Sequence, residues 1–221
     1  MFDPKRIVED GYDRIAEGHA EWANRTRTEE RARYAEFLLD ALPAGAAVLE
    51  LGCGAGSVTT CQLAARFRLT GVDLSARSVA LARRHVPDAE FIHADMTRVE
   101  FSRASFEAVA AFYSIIHVPR AEHAALLAKV ASWLRPGGLL VAALGAEDTE
   151  AGFEADWLGA PMYWSAYDAQ TNRGLVEAAG LVVERAAVEV ADEDGRAIAF
   201  LWIVARRPGE VGLTQAEPAT G

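Results

Sequence analysis

Apolar positions along the chain change their spacing twice, and the changes divide it. Up to residue 43 the spacing is helical. Tyr12, Ile15, Ala16, His19, Trp22 and Ala23 share one face of a first helix, with Asp3 as its cap and Pro4 in its first turn. Thr26 and Glu29 have the spacing of a capping box for a second helix. Its stripe is Tyr34, Phe37, Leu38, Ala41 and Leu42, and Pro43 ends it. From residue 46, short apolar runs alternate with helical stretches. The runs 46–51, 69–72, 89–93, 106–112 and 139–144 are apolar almost throughout, the mark of strands covered on both sides. Between them 57–66, 76–86 and 121–134 read as helices, the last carrying the stripe Leu126, Leu127, Val130, Trp133 and Leu134. The alternation predicts a doubly wound α/β fold: an open, mostly parallel sheet, helices on both faces, behind an amino-terminal helical cap.

The rhythm breaks at 146–167, which is acidic and then aromatic. Asp168 caps a helix running to Ala179, with Gly180 as its stop. Two further apolar runs, 181–190 and 197–205, flank Asp192-Glu193-Asp194-Gly195, a turn that joins antiparallel neighbours. Beyond Arg207 periodicity is lost and Pro, Gly and Thr abound. The expected organisation is a cap at 1–43, a core at 44–206 with an aromatic insertion at 146–167, and a disordered tail at 207–221.

Composition narrows the partners. The 221 residues are 51% hydrophobic and 24% charged, an ordinary globule. Lys and Arg number 22 against 32 Asp and Glu, a net charge of −10. Arg83-Arg84 and Arg206-Arg207 are too short to form a basic patch against that field, so neither nucleic acid nor a membrane surface is expected as partner. Cys53 and Cys61 make no disulfide framework, and no paired metal motif is present. The start shows no secretory pattern and no apolar run reaches a membrane span, so the expected compartment is the cytoplasm. The expected assembly is a monomer or homodimer.

The candidate chemistry begins at Val48-Leu49-Glu50-Leu51-Gly52-Cys53-Gly54-Ala55-Gly56-Ser57, where a buried strand runs into a glycine-rich turn that opens a helix. A dinucleotide site needs a third glycine where Ser57 stands, which argues against a nicotinamide oxidoreductase. Glu50 would also set an anion beside a pyrophosphate. The same carboxylate suits S-adenosylmethionine, which carries a sulfonium and an ammonium but no phosphate. Asp73 ends the next strand, where an acid can accept from both ribose hydroxyls. Asp95, with Met96 beside it, follows the third strand, in reach of an adenine amine.

These acids after successive strands, with Leu134-Arg135-Pro136-Gly137-Gly138 before the fifth, give the chain its resemblance to the class I S-adenosylmethionine-dependent methyltransferases, over roughly residues 5–206. The resemblance implies a Rossmann-like, seven-stranded sheet whose last strand, Ala197 to Ala205, inserts antiparallel. It implies Glu50, Gly52 and Gly54 at the methionine end of the cofactor, Asp73 at the ribose, Asp95 and Met96 at the adenine, and Cys53, Leu74 and Tyr113 among the other cofactor-binding residues. The product would be S-adenosylhomocysteine, with no metal involved.

The stretch Phe112 to Pro119 would face the transferred methyl. It lacks the Asn or Asp followed by Pro-Pro and an aromatic that marks DNA-base and protein-amide methylation in this fold. His117 is the expected base, titrating near its usual value of about 6.5, with Tyr113 second; the alternative is that His117 only fixes a loop. Trp157, Met162, Tyr163, Trp164 and Tyr167 would cover a flat acceptor, and Tyr12, His19 and Trp22 would close the same pocket, unless these rings serve packing or a dimer contact. The expected function is methyl transfer to O, N or C of a small aromatic or polycyclic molecule of the secondary-metabolite kind. The alternative is a cofactor-binding protein that transfers no methyl, as a cyclisation catalyst or regulatory partner.

Overall fold

The computed structural model describes residues 3–193 and 195–209. Asp3 caps α1 (Pro4–Ala23), its side chain accepting from the N–H groups of Lys5 and Arg6. α2 (Thr28–Ala41) follows, but no capping box forms at its start. Arg27 holds the cap position in a left-handed conformation, φ 55°, with no side-chain cap bond. The carbonyls left over at the end of α1 go to Arg31 instead, whose guanidinium donates to the oxygens of Ala23 and Thr26, each at 2.7 Å. A cation that satisfies two orphan carbonyls fixes this corner better than one threonine hydroxyl.

The five apolar runs become β1 (Ala47–Leu51), β2 (Arg68–Asp73), β3 (Glu90–His93), β4 (Phe106–Phe112) and β5 (Leu134–Gly145). β5 starts earlier than its apolar run, because Leu134 already pairs with Phe106 across a register shift. The helices between are α3 (Val58–Arg66), α4 (Ala76–His85) and α5 (His123–Trp133). After β6 (Thr149–Trp157) and β7 (Ala160–Ala166) come α6 (Ala169–Ala178), β8 (Val182–Glu193) and β9 (Arg196–Arg206). The main sheet runs β3-β2-β1-β4-β5-β9-β8, with β9 antiparallel between β5 and β8. It is the seven-stranded Rossmann-like sheet of the sequence reading.

Alternation along the strands explains the two covered faces. Val48, Ala108, Ala110 and Val141 pack with Tyr34 and Leu38 of α2 and Leu63 of α3. Leu49, Leu51, Val109 and Leu140 pack on the other side with Leu126, Leu127, Val130 and Trp133 of α5 and Val176 of α6. Among the described residues, no helix is long and apolar enough to cross a membrane.

The insertion is more ordered than its composition suggests. β6 and β7 form a separate two-stranded antiparallel ribbon turning at Leu158-Gly159. A lone hairpin is marginal in water, and α1 supplies the missing layer. Gly11 permits that contact: a Cβ there would stand 2.6 Å from the Pro161 carbonyl oxygen. At the other end, Arg207 still exchanges backbone hydrogen bonds with Gly137 and Gly138, at 2.9 and 2.8 Å. The rest of the expected tail, 210–221, lies outside the described residues.

Candidate active site

β1 has β2 on one side and β4 on the other, so the sheet's switch point lies at its carboxyl end. A cavity of about 380 Å³ opens there, walled by the strand ends below and by α1, the β6–β7 ribbon and the start of β9 above.

The glycine loop forms its floor. Gly52 sits at φ +74°, and a Cβ on it would fall 2.2 Å from the Ser114 Cβ, so only glycine fits where β1 meets the β4 exit. Gly54, at φ +54°, would point a Cβ into open space. Its N–H donates to Asp73 Oδ2 at 2.8 Å, and the Ser75 N–H donates to Oδ1 at 2.9 Å. Burial raises the Asp73 carboxyl, and those two N–H groups partly oppose it.

Glu50 is 4% exposed, accepts from the Thr60 hydroxyl at 3.1 Å through Oε1, and leaves Oε2 without a partner. Burial pushes it up to about 8. Arg31 is its counterpart. It is 8% exposed, its Nε has no partner, and no carboxylate among the described residues lies within ion-pair distance. Burial holds this guanidinium below its ordinary value. Unmatched acid and unmatched cation on one cavity wall complement the ammonium and carboxylate of an amino acid, which fits the methionine end of S-adenosylmethionine. Sequence reading missed Arg31. Its signal was a charge in register with Ala35 and Leu38 on the buried stripe of α2.

Asp95 and Met96 also line the cavity, but the Asp95 carboxylate is already engaged. Oδ2 accepts from Lys5 Nζ at 2.9 Å, and Oδ1 accepts from both the N–H and the hydroxyl of Thr97 at 2.8 Å. Burial would raise it; the Lys5 and Thr97 bonds outweigh burial and hold it below its ordinary value.

On the acceptor side, Trp157 is met by Tyr12, His19, Trp22 and Trp164, with ring centroids 5.5 to 5.9 Å away. The structure thus brings Tyr12, His19, Trp22, Trp157 and Trp164 to the cavity. It does not bring Met162, Tyr163 or Tyr167. Met162 and the Tyr163 ring pack beneath α1 with Val8 and Ile15, and Tyr167 lies against Arg120 and His123. Arg27, Glu154, Glu193 and Arg196 join the wall from segments that carried no motif. Arg27 pairs with Glu193 at 2.9 Å, and Arg196 with Glu154 at 3.6 Å.

His117 occupies its expected place after β4 but is not free. Its Nδ1 lies 2.8 Å from the Tyr163 carbonyl oxygen and its Nε2 2.8 Å from the Tyr12 hydroxyl. Burial drives the ring down to about 4, not to the 6.5 of an exposed base. Tyr113, left-handed at φ 59°, is wedged between Phe200 and Trp202. Burial pushes its hydroxyl up, the wrong direction for a base.

The half-buried histidines His19 and His117 set a pH dependence. His19 is lowered to about 3, first by burial and then by His117. Both rings stay neutral in the fold but take up protons in the unfolded chain below about 6.5, so stability is full above that pH and falls as pH drops toward 4. The melting temperature is expected to fall between about pH 7 and pH 5, less so in a His19→Asn/His117→Gln double variant. Equal slopes in both proteins would mean that the two rings titrate normally.

Fold and cavity define a doubly wound domain with a cavity at the switch point. Residues 48–138 match the family model of the methyltransferase domain. The chain is 37% identical over 118 residues to a trans-aconitate 2-methyltransferase of Paracidovorax citrulli, covering 51% of this chain and 44% of that one. It is 34% identical over 152 residues to the 27-O-demethylrifamycin SV methyltransferase of Amycolatopsis mediterranei, covering 62% and 54%. The chain spans about half the length of the curated relatives it matches. The fold is shared with 1,6-didemethyltoxoflavin-N1-methyltransferase of Burkholderia thailandensis, solved with 1,6-didemethyltoxoflavin and S-adenosylhomocysteine, at a TM-score of 0.69 and 18% identity over 94% of this chain and 92% of that one.

Proposed function

We propose that the chain transfers the methyl of S-adenosylmethionine to O, N or C of a small, flat molecule held against the ring cluster. The observation that carries this is the cavity's two-sided wall: unmatched Glu50 Oε2 and Arg31 Nε with Asp73 on one side, the rings of Tyr12, Trp157 and Trp164 on the other. When bound, the cofactor supplies a methyl on a positively charged sulfur, open to in-line attack. The protein's part is alignment: the glycine loop and Asp73 hold the donor, the rings hold the acceptor flat and exclude water. Acceptors of the relatives, trans-aconitate and a rifamycin among them, are small molecules, and they support the same class here.

Calorimetry with S-adenosylhomocysteine tests the donor half, and transfer of labelled methyl to a panel of flat acceptors tests the other. Tight binding with no label transferred to any acceptor would favour a use of the cofactor without methyl transfer.

Asp73→Ala is expected to weaken S-adenosylhomocysteine by about 1.5–3 kcal/mol, the range for hydrogen bonds to a charged group, or roughly tenfold and more. An analogue lacking the ribose hydroxyls should lose much less. Equal losses for both ligands would show that Asp73 acts only through the Gly54 and Ser75 N–H groups.

A further inference from the structure

We propose that Tyr12, rather than His117, is the group that meets the methyl acceptor, and that the acceptor it selects is a neutral amine with at least one N–H. The proposal rests on the methyl-transfer reading and names its substrate class.

The Tyr163 oxygen can only accept, so the proton of neutral His117 sits on Nδ1. Nε2 is then an acceptor with one lone pair, and the Tyr12 hydroxyl fills it at 2.8 Å. The phenol has one proton, and it points at His117. What Tyr12 Oη shows the cavity is lone pairs alone. Gly11 holds this arrangement in place, since the bare backbone lets α1 press against Pro161 and sets Tyr12 beside the loop after β4.

An acceptor-only oxygen sorts the nucleophiles. A carboxylate or phenolate would bring lone pairs against lone pairs. A neutral hydroxyl can donate to Tyr12, but its methylation must release a proton. The route through Tyr12 to His117 ends on an imidazolium buried without a countercharge, with its other nitrogen already bonded to a carbonyl. A neutral amine meets neither obstacle. One N–H donates to Tyr12 Oη and leaves the nitrogen lone pair for the methyl carbon. The N–C bond forms as the S–C pair returns to sulfur, giving S-adenosylhomocysteine and an N-methylammonium, which later loses its proton to water. Positive charge moves from sulfur to nitrogen and is not created. Trp157 and Trp164 line the same cavity as Tyr12, and aromatic rings suit a cation held near them.

The groups facing the Tyr12–His117 pair are consistent with this. From α1, His19 meets the Tyr12 ring edge-on at 4.9 Å, and from β7, Trp164 lies 6.0 Å from His117. Burial first, and then the negative charges of Asp73 at the end of β2 and Glu193 at the end of β8, keep the Tyr12 phenol protonated.

Three matched probes test the assignment: 6-aminoindole, 6-hydroxyindole and indole-6-carboxylate, titrated into the protein saturated with S-adenosylhomocysteine. The amine is expected to bind at least about tenfold tighter than the carboxylate, and Tyr12→Phe should erase the preference. His117→Gln can donate to the Tyr163 oxygen and accept from Tyr12, so it should keep the preference for the amine over the carboxylate. The methylation rate should be flat between about pH 6.5 and 8.5. Nitrogen NMR of the same complex should show His117 as the Nδ1–H tautomer, unprotonated at about pH 5.5. No amine preference, a preference that survives Tyr12→Phe, loss of the preference in His117→Gln, or the Nε2–H tautomer would each overturn the proposal. A protein that fails to bind S-adenosylhomocysteine at all is a different result, and it overturns the methyl-transfer reading itself.

Discussion

Gly54→Asp is expected to abolish binding of S-adenosylhomocysteine, a loss of at least about a hundredfold, while the fold survives. Survival follows from two facts. The position has φ +54°, a conformation that Asp and Asn tolerate better than other side chains, and a Cβ there meets nothing within 4 Å. Loss of binding follows from where that free space is. It is the cavity, and the new carboxylate would enter it beside Glu50 and Asp73, filling room that the ligand needs and adding one more acid to the wall. Calorimetry reads the first effect and circular dichroism the second. Affinity unchanged within about twofold would remove the cofactor from this loop.

Trp202→Ala should cost about 3–5 kcal/mol of folding stability, a large part of the roughly 5–15 available to a domain. Trp202 is fully buried on β9, stacked on Tyr34 of α2 at 4.1 Å with the planes 3° apart. It also meets Tyr113 and Phe112 edgewise or tilted, at 5.3 and 5.4 Å. Truncation would open a void between sheet and helix that these rings cannot close. Trp202→Phe should be much milder, because the indole N–H it removes has no partner. A Trp202→Ala loss below about 1 kcal/mol in chemical denaturation would show that α2 is not part of the core.

Local pattern and long-range geometry divide what the sequence made legible. Strands β1 to β5 and the antiparallel β9 were readable because doubly covered strands are apolar throughout. The positions of Glu50, Gly52, Gly54, Asp73 and Asp95 at or just past strand ends were readable because local pattern locates strand ends. The ribbon of β6 and β7 was hidden: its outer strand is exposed and acidic, and its support comes from α1, over a hundred residues away. The same distance hid the Tyr12–His117 hydrogen bond, so His117 read as a free base. Met162, Tyr163 and Tyr167 were misplaced because composition marks a segment as aromatic without saying which rings turn inward.

The two walls of the cavity have different origins in the chain. Of the donor wall, Glu50, the glycine loop, Asp73 and Asp95 lie inside the stretch that matches the family model, and Arg31 lies outside it. Tyr12, Trp22, Trp157 and Trp164 lie outside it. Selection can therefore remodel one wall with the other held constant. The ribbon hangs beside the main sheet instead of within it, so its residues can be exchanged without disturbing the register of the seven strands. On the proposed reading, descendants of such a chain would inherit the same methyl donor and differ in what they modify. Sequence likeness among them would then be a poor guide to substrate, and the α1 and ribbon rings a better one.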